Sequence, residues 1–152
     1  QIMKGYNFNE NDVMWIFSHT GINNVNIDIA LEAKKRGMKV IAYGSAAQAK
    51  GKKTRHSCGK TIFDIADLVV DSCAPAGDAT VPLKFNQDPV GPVSTMAFIT
   101  CVWMTVCTVA EILDKRGVKL YIHPSHNVPG DTTAPERLAD CLAEYKRRVA
   151  GV

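Results

Sequence analysis

The chain has 152 residues, 46% of them hydrophobic and 22% charged, a balance that excludes a disordered segment and fits a single domain spanning residues 1–152. Lys and Arg (18) against Asp and Glu (15) leave a formal charge of +3, too mild to demand nucleic acid as a partner. Five cysteines (Cys58, Cys73, Cys101, Cys107 and Cys141) without a C-x-x-C exclude a disulfide scaffold and a four-cysteine zinc site, and the expected compartment is the reducing cytoplasm.

Residues 1–12 are polar and carry no apolar h-region. The first predicted strand, Val13-Met14-Trp15-Ile16-Phe17, is apolar throughout, as a strand covered on both faces is. It ends in Ser18-His19-Thr20-Gly21. A helix is predicted over 23–36. Val25, Ile29 and Ala33 give it one apolar stripe, Lys34, Lys35 and Arg36 suit the negative end of its macrodipole, and Gly37 caps it. Val40-Ile41-Ala42-Tyr43 reads as a second strand, ending in Gly44-Ser45. A basic stretch follows, then a short helix near 61–66 and a third strand, Leu68-Val69-Val70.

This βαβαβ alternation predicts an α/β fold with a parallel sheet and helices on both faces. Right-handed crossovers put the strand C-termini on one edge, where open sheets of this kind bind ligands. Ser18, Ser45 and Ser72 each sit just past such a C-terminus.

Residues 72–93 show no helical period and are broken by Pro75, Gly77, Pro82, Pro89, Gly91 and Pro92. A connection of that length usually serves a function or covers something. A short edge strand fits 80–83, limited by Pro82. A long apolar helix is predicted over 94–116, stopping at Gly117. Residues 91–110 run without a charge, a length that can span a bilayer. Ser94, Thr95, Thr100, Thr105 and Thr108, with no aromatic belt or basic flank, favour a helix buried on all sides and no membrane partner. Residues 118–122 read as extended or strand, and a last amphipathic helix is predicted over 136–149.

Three constellations can carry chemistry. The first is Ser18-His19-Thr20-Gly21-x-Asn23 between strand and helix. Amides at a helix N-terminus carry partial positive charge, small hydroxyls add donors, and Gly21 permits close backbone approach, so the loop can cradle a phosphate without a lysine. The bland alternative is that Ser and Thr merely cap the helix. The second is Lys50, Lys52, Lys53, Arg55, His56 and Lys60, a run without an acid. It can focus a field on an anionic substrate, or it is a solvated loop. His56 stands out because its ordinary pKa near 6.5 suits proton transfer. The third is Gly91-Pro92-Val93-Ser94-Thr95, whose helix N-terminus either is capped by its own hydroxyls or faces the same ligand as the first loop. Glu111, in the otherwise uncharged helix, is either where that helix meets solvent or a buried base. His123 and His126 have i, i+3 spacing but no neighbouring cysteine or carboxylate to complete a metal site, and no metal is expected. No activating motif surrounds any cysteine, so inert buried thiols are expected.

Ser18-x-Thr20-Gly21 after a strand, then Ala30-Leu31-Glu32-Ala33-Lys34-Lys35-Arg36-Gly37-Met38-Lys39-Val40-Ile41-Ala42, resembles the sugar isomerase (SIS) domain family. Asp64-Ile65-Ala66-Asp67 before the third strand is also similar to that family. So is Gly91-Pro92-Val93-Ser94-Thr95-Met96-Ala97-Phe98, which is similar to the segment opening the last core helix of the glucosamine-6-phosphate synthase isomerase domain. Arg55-His56-Ser57-x-Gly59-Lys60 and Ser125-x-Asn127-x-x-Gly130-Asp131 look closest to an uncharacterised bacterial subgroup labelled phosphoheptose or sugar isomerase.

The resemblance implies a three-layer αβα sandwich with a flavodoxin-like parallel sheet. It implies a phosphorylated sugar as partner, with no further cofactor, held by Ser18, His19, Thr20, Gly21 and Asn23, with Ser45, Ser94 and Thr95 nearby. It also implies a homodimer through the 94–116 helix, which would bury that helix's outer face. Members of the family carry helices and a strand before this point, so the chain reads as the C-terminal portion of a longer one, its sheet missing a first strand. Met96 stands where the synthase relatives have a lysine. Isomerases of the family often take a catalytic Glu from the region that is missing. The expected activity is aldose–ketose isomerisation of a sugar phosphate, with His56 as acid/base and Glu111 as a more distant candidate. A non-catalytic phosphosugar-sensing module and an amino-sugar-phosphate lyase are the alternatives.

Overall fold

In a computed structural model, which describes residues 2–125 and 127–149, the first apolar run forms β1 (Val13–Phe17). With β2 (Lys39–Gly44) and β3 (Leu68–Asp71) it makes a parallel sheet in the order β1-β2-β3, Phe17 opposite Tyr43 and Gly44 opposite Asp71. Between the strands lie α1 (Asn24–Lys35), then α2 (Ala46–Ala49) and α3 (Ile62–Ile65). Beyond them come β4 (Ala79–Val81), β5 (Val90–Pro92), α4 (Ser94–Lys115) and α5 (Ala134–Val149). The chain divides into two compact units, one of residues 8–105 and one of residues 1–7 with 106–152.

The first unit is layered because strand side chains alternate between faces. Ile16, Val40, Ala42 and Gly44 share the face under α1 and α3, where Ile27, Ala30, Ala33 and Ile62 are buried. Phe17 and Tyr43 share the other. Their rings stack at 4.8 Å, Phe98 of α4 lies 5.8 Å from Phe17, and the Tyr43 hydroxyl is 3.2 Å from Thr105 Oγ1. The sheet is thus covered by α1 and α3 on one side and by the first half of α4 on the other, a three-layer αβα sandwich.

Local chemistry sets the element ends. At the C-terminus of α1 the predicted Gly37 takes φ +81°, and its N–H reaches Lys34 O while Met38 N–H reaches Ala33 O. The α1 end is then tied to the start of β2 by Asp67. Its carboxylate accepts from Lys34 Nζ at 2.7 Å and from Val40 N–H at 2.8 Å, and the Lys34 bond, then the Val40 amide, hold its pKa down at about 2. α3 starts with a capping box: Thr61 Oγ1 accepts from Asp64 N–H, and the Asp64 carboxylate accepts from Thr61 N–H.

Three expectations change. The edge strand near 80–83 is β4, paired antiparallel with β5 as a separate two-stranded ribbon, Ala79 opposite Pro92, and ended by Pro82. Residues 118–122 form no strand. In the second unit, Lys119 Nζ reaches Asp140 of α5 at 2.8 Å, and Cys141 Sγ lies 3.7 Å from Tyr121 O. Third, α4 is not buried on all sides. None of its residues is buried, and Trp103 is 62% exposed. An apolar helix gives the same sequence signal whether its own chain or something else covers it. Among the described residues it is the one helix long and apolar enough to cross a membrane, with a mean hydropathy of 1.9. His126 lies outside the described residues.

Phe63 lies against two positions that lack a side chain. A Cβ on Gly44 would sit 2.2 Å from the Phe63 ring and 2.7 Å from Ser18 O, and one on Gly21 would sit 2.3 Å from the same ring. Gly44→Ala therefore overpacks against backbone as well as side chain and is expected to cost about 3 kcal/mol, read by urea denaturation. A loss below about 0.5 kcal/mol would show that the contact is slack.

Candidate functional site

The C-terminal edge of the sheet gathers the loop after β1, the end of β2 and the segment before α3. Ser18 is buried, its N–H donates to Tyr43 O at 2.9 Å, and its Oγ accepts from Gly21 N–H at 3.1 Å. Thr20 Oγ1 lies 3.5 Å from Ile22 N. Gly21 adopts φ +71° at the turn, and its carbonyl accepts from Ile62 N–H at 2.9 Å. Ser45 N–H donates to His19 O at 3.2 Å, which joins the ends of β1 and β2.

Ser18 and Thr20 do not cap α1. Asn23 holds the N-cap position and makes no side-chain cap hydrogen bond, and no acidic residue lies in the first turn. The leading amides of this twelve-residue helix thus have no side-chain acceptor from within it. The other helix starts of this unit do have one. Ser45 Oγ accepts from Gln48 N–H in α2, Thr61 serves α3, and Asp78 serves α4. Ser45 is also fully buried, with its hydroxyl donating to Ala74 O at 2.6 Å, so its side chain is committed to structure.

Asp78 changes the reading of Ser94. Its Oδ1 accepts from Val93 N–H at 2.9 Å and Ser94 N–H at 2.6 Å, and its Oδ2 accepts from Ser94 Oγ at 2.8 Å. A protein carboxylate therefore occupies the anion position at the start of α4. Burial alone would raise the Asp78 pKa, but the Ser94 hydroxyl, the Ser94 and Val93 amides and the nearby His19 outweigh it, and the net shift is downward. Thr95, next in the helix, is exposed. His19 itself is notable: both ring nitrogens are shielded from solvent and meet no hydrogen-bond partner among the described residues. Buried polar atoms of that kind are rare without a ligand or water.

The basic loop is docked on the first loop. Thr54 Oγ1 donates to Ile22 O at 3.3 Å, and His56 N–H donates to Thr54 Oγ1 at 3.0 Å. Lys50, Lys52, Lys53, Arg55 and Lys60 are exposed and form no ion pair among the described residues. The His56 ring is held at both nitrogens, Nε2 3.0 Å from Asp28 Oδ1 and Nδ1 2.9 Å from Cys58 Sγ. The Asp28 bond, then Cys58, raises its pKa. A cavity of about 190 Å³ beside the ends of β2 and β3 is lined by Gly44, Ala46, Phe63, Val69 and Asp71.

Glu111 belongs to the second unit. Its carboxylate is 2.6 Å from Lys115 Nζ and 64% exposed, which is a solvated i, i+4 pair and not a buried base. No group of three or more metal-ligating side chains occurs among the described residues. The expectation of buried thiols fails at Cys58, Cys73 and Cys107, all exposed. Asp78 and Asp28 were not legible as site residues, because their partners lie sixteen and twenty-eight positions away.

A family profile described as SIS domain matches residues 1–45. Among curated relatives, a UPF0309 protein of Shouchella clausii is 34% identical over 131 residues, covering 86% of this chain and 53% of the relative. One from Thermoanaerobacter pseudethanolicus is 33% identical over 150 residues, covering 97% and 60%. One from Oceanobacillus iheyensis is 35% identical over 119 residues, covering 78% and 48%. The chain thus spans roughly half the length of these relatives.

Removing the carboxylate that caps α4 tests its role. Asp78→Ala is expected to cost about 1–2 kcal/mol at pH 7, the size of a lost N-cap. Because the folded pKa of Asp78 lies below its unfolded value, its contribution is present above about pH 4 and lost as pH falls. Denaturation at pH 7 and pH 3 should show the variant's deficit shrinking, and an unchanged deficit would assign it to backbone effects.

Proposed function

Since this chain belongs to the SIS-domain family, we propose that it binds a phosphorylated sugar, the phosphate seated on the loop of residues 18–23. The observation that carries this reading is the open N-terminus of α1, the one helix start in residues 8–105 without a side-chain acceptor. A dianion there completes the leading amides and sits with the dipole. The Ser18 and Thr20 hydroxyls flank it, the partnerless His19 ring adds a donor or acceptor, and the unpaired cations of the 50–60 loop draw an anion in.

The activity proposed for the site is aldose–ketose isomerisation. That reaction needs a base to take the proton beside the carbonyl and an acid to serve O1 and open the ring. His56 is the candidate, supported by its place on the docked loop and by the raised pKa that Asp28 gives it. The phosphate supplies binding energy remote from the chemistry. Glu111 receives no support, since it is exposed and paired with Lys115. A sensing module is the second reading, favoured by the engagement of both His56 nitrogens, which leaves neither idle for a substrate. A reducing, cytoplasmic setting is proposed from the odd number of cysteines and the lack of a C-x-x-C.

A homodimer through α4 is also proposed. Met96, Ile99 and Trp103 lie at i, i+3 and i+7 on one exposed stripe, 65%, 48% and 62% accessible. Sedimentation velocity should show a dimer that Trp103→Glu converts to monomer. A wild-type monomer that partitions onto liposomes would replace this reading with a membrane one.

Binding is tested by thermal shift with phosphosugars and their unphosphorylated counterparts. A ligand at 100 times its Kd adds about 2.7 kcal/mol to the native state, and only the phosphorylated sugars should do so. Thr20→Ala should weaken binding about tenfold, the loss of one hydrogen bond to a charged group. Equal stabilisation by sugars with and without phosphate would sink the reading. His56→Ala should abolish isomerisation and spare binding. Turnover that survives it would make His56 structural.

A further inference from the structure

The loop that carries His56 places a cysteine and a carboxylate on opposite sides of its ring. Nδ1 lies 2.9 Å from Cys58 Sγ and Nε2 lies 3.0 Å from Asp28 Oδ1. The Cys58 sulfur also lies 3.4 Å from the Lys60 N–H, and Cys58 N–H donates to His56 Nδ1 at 3.2 Å. The ring is 13% exposed, whereas Cys58 is open to solvent. We propose that Cys58, His56 and Asp28 form an activated nucleophilic thiol, and that hydroperoxides are the oxidants it takes. It shares His56 with the isomerase reading, but none of its partners needs a bound sugar.

The geometry accounts for activation. When the thiol proton moves to His56, both ring nitrogens become N–H donors: Nε2 faces Asp28, and Nδ1 faces the thiolate, giving up the bond it accepted from Cys58 N–H. The thiolate keeps the Lys60 amide as a second donor. That amide, then His56, lowers the Cys58 pKa, which accords with the arrangement. The thiolate attacks the distal oxygen of R–O–O–H, the S–O bond forms and the O–O bond breaks. Sulfur loses two electrons to the peroxide, RO⁻ leaves, and the His56 imidazolium returns the proton to give ROH and Cys58 sulfenic acid.

The chain carries its own reference thiol in Cys73, exposed but without a histidine partner. An unactivated cysteine is only about 3% ionised at pH 7. With limiting iodoacetamide at pH 7 and peptide mapping by mass spectrometry, Cys58 should be alkylated about tenfold faster than Cys73. His56→Gln should bring Cys58 down to the Cys73 rate while leaving Cys73 unchanged. Asp28→Asn, at a side chain 69% exposed and so safe for folding, should slow Cys58 about threefold. Hydrogen peroxide followed by dimedone should tag Cys58 in the wild type. Equal rates at Cys58 and Cys73 overturn the proposal, as does a Cys58 rate untouched by Asp28→Asn. Fast alkylation without a dimedone adduct overturns the hydroperoxide assignment.

Discussion

The edge of the sheet is organised by one aromatic ring lying where two residues have no side chain. Phe63 packs on Gly21, from the loop after β1, and on Gly44, at the end of β2. Either Cβ would fall inside the ring's van der Waals surface, so the contact exists only because both positions are glycine. It fixes the start of α3 against the first loop, and the Ile62 amide to Gly21 carbonyl bond follows from it. The basic loop before α3 is then held short, with Thr54 against Ile22 and His56 against Asp28 of α1. Packing thus brings the 50–60 loop onto the loop of residues 18–23 before any charge is counted.

Electrostatics separates the helix starts that packing brings together. α2 and α3 are completed by a neighbouring hydroxyl, and α4 by a carboxylate from sixteen residues earlier. Each of these ends is satisfied by the chain, and an anion offered there would have to displace a ligand already in place. α1 is the exception. Its N-cap asparagine makes no cap bond, although asparagine is among the best capping residues. This open helix start, at a residue type well suited to close it, is the feature on which the phosphosugar proposal rests.

Much of the fold was legible because its signals are local. The unbroken apolar strands, the Gly37 stop and the βα alternation depend on residues within one turn or one strand of each other. The same locality explains what was hidden. β5 reads as a breaker, Val90-Gly91-Pro92, and becomes a strand only because Ala79 pairs with Pro92. Ser94 has the right chemistry for a ligand, and only the distant Asp78 shows that its hydroxyl is spent. His56 was legible from its ordinary pKa, but its carboxylate partner lies on another helix. Cys58 read as an inert thiol because no motif announces a histidine two residues away folded back onto its sulfur.

The exposed stripe on α4 is tied to this site by the way the helix begins. Apolar surface left in water forgoes about 25 cal/mol for every Å² that a partner would cover, so Met96, Ile99 and Trp103 represent a standing drive toward association. The first turn of that helix is held by Asp78, whose pKa, despite burial, is lowered by the Ser94 and Val93 donors and by nearby His19. Asp78 therefore links the helix that carries the stripe to the loop of residues 18–23, where both His19 ring nitrogens are shielded and meet no hydrogen-bond partner among the described residues.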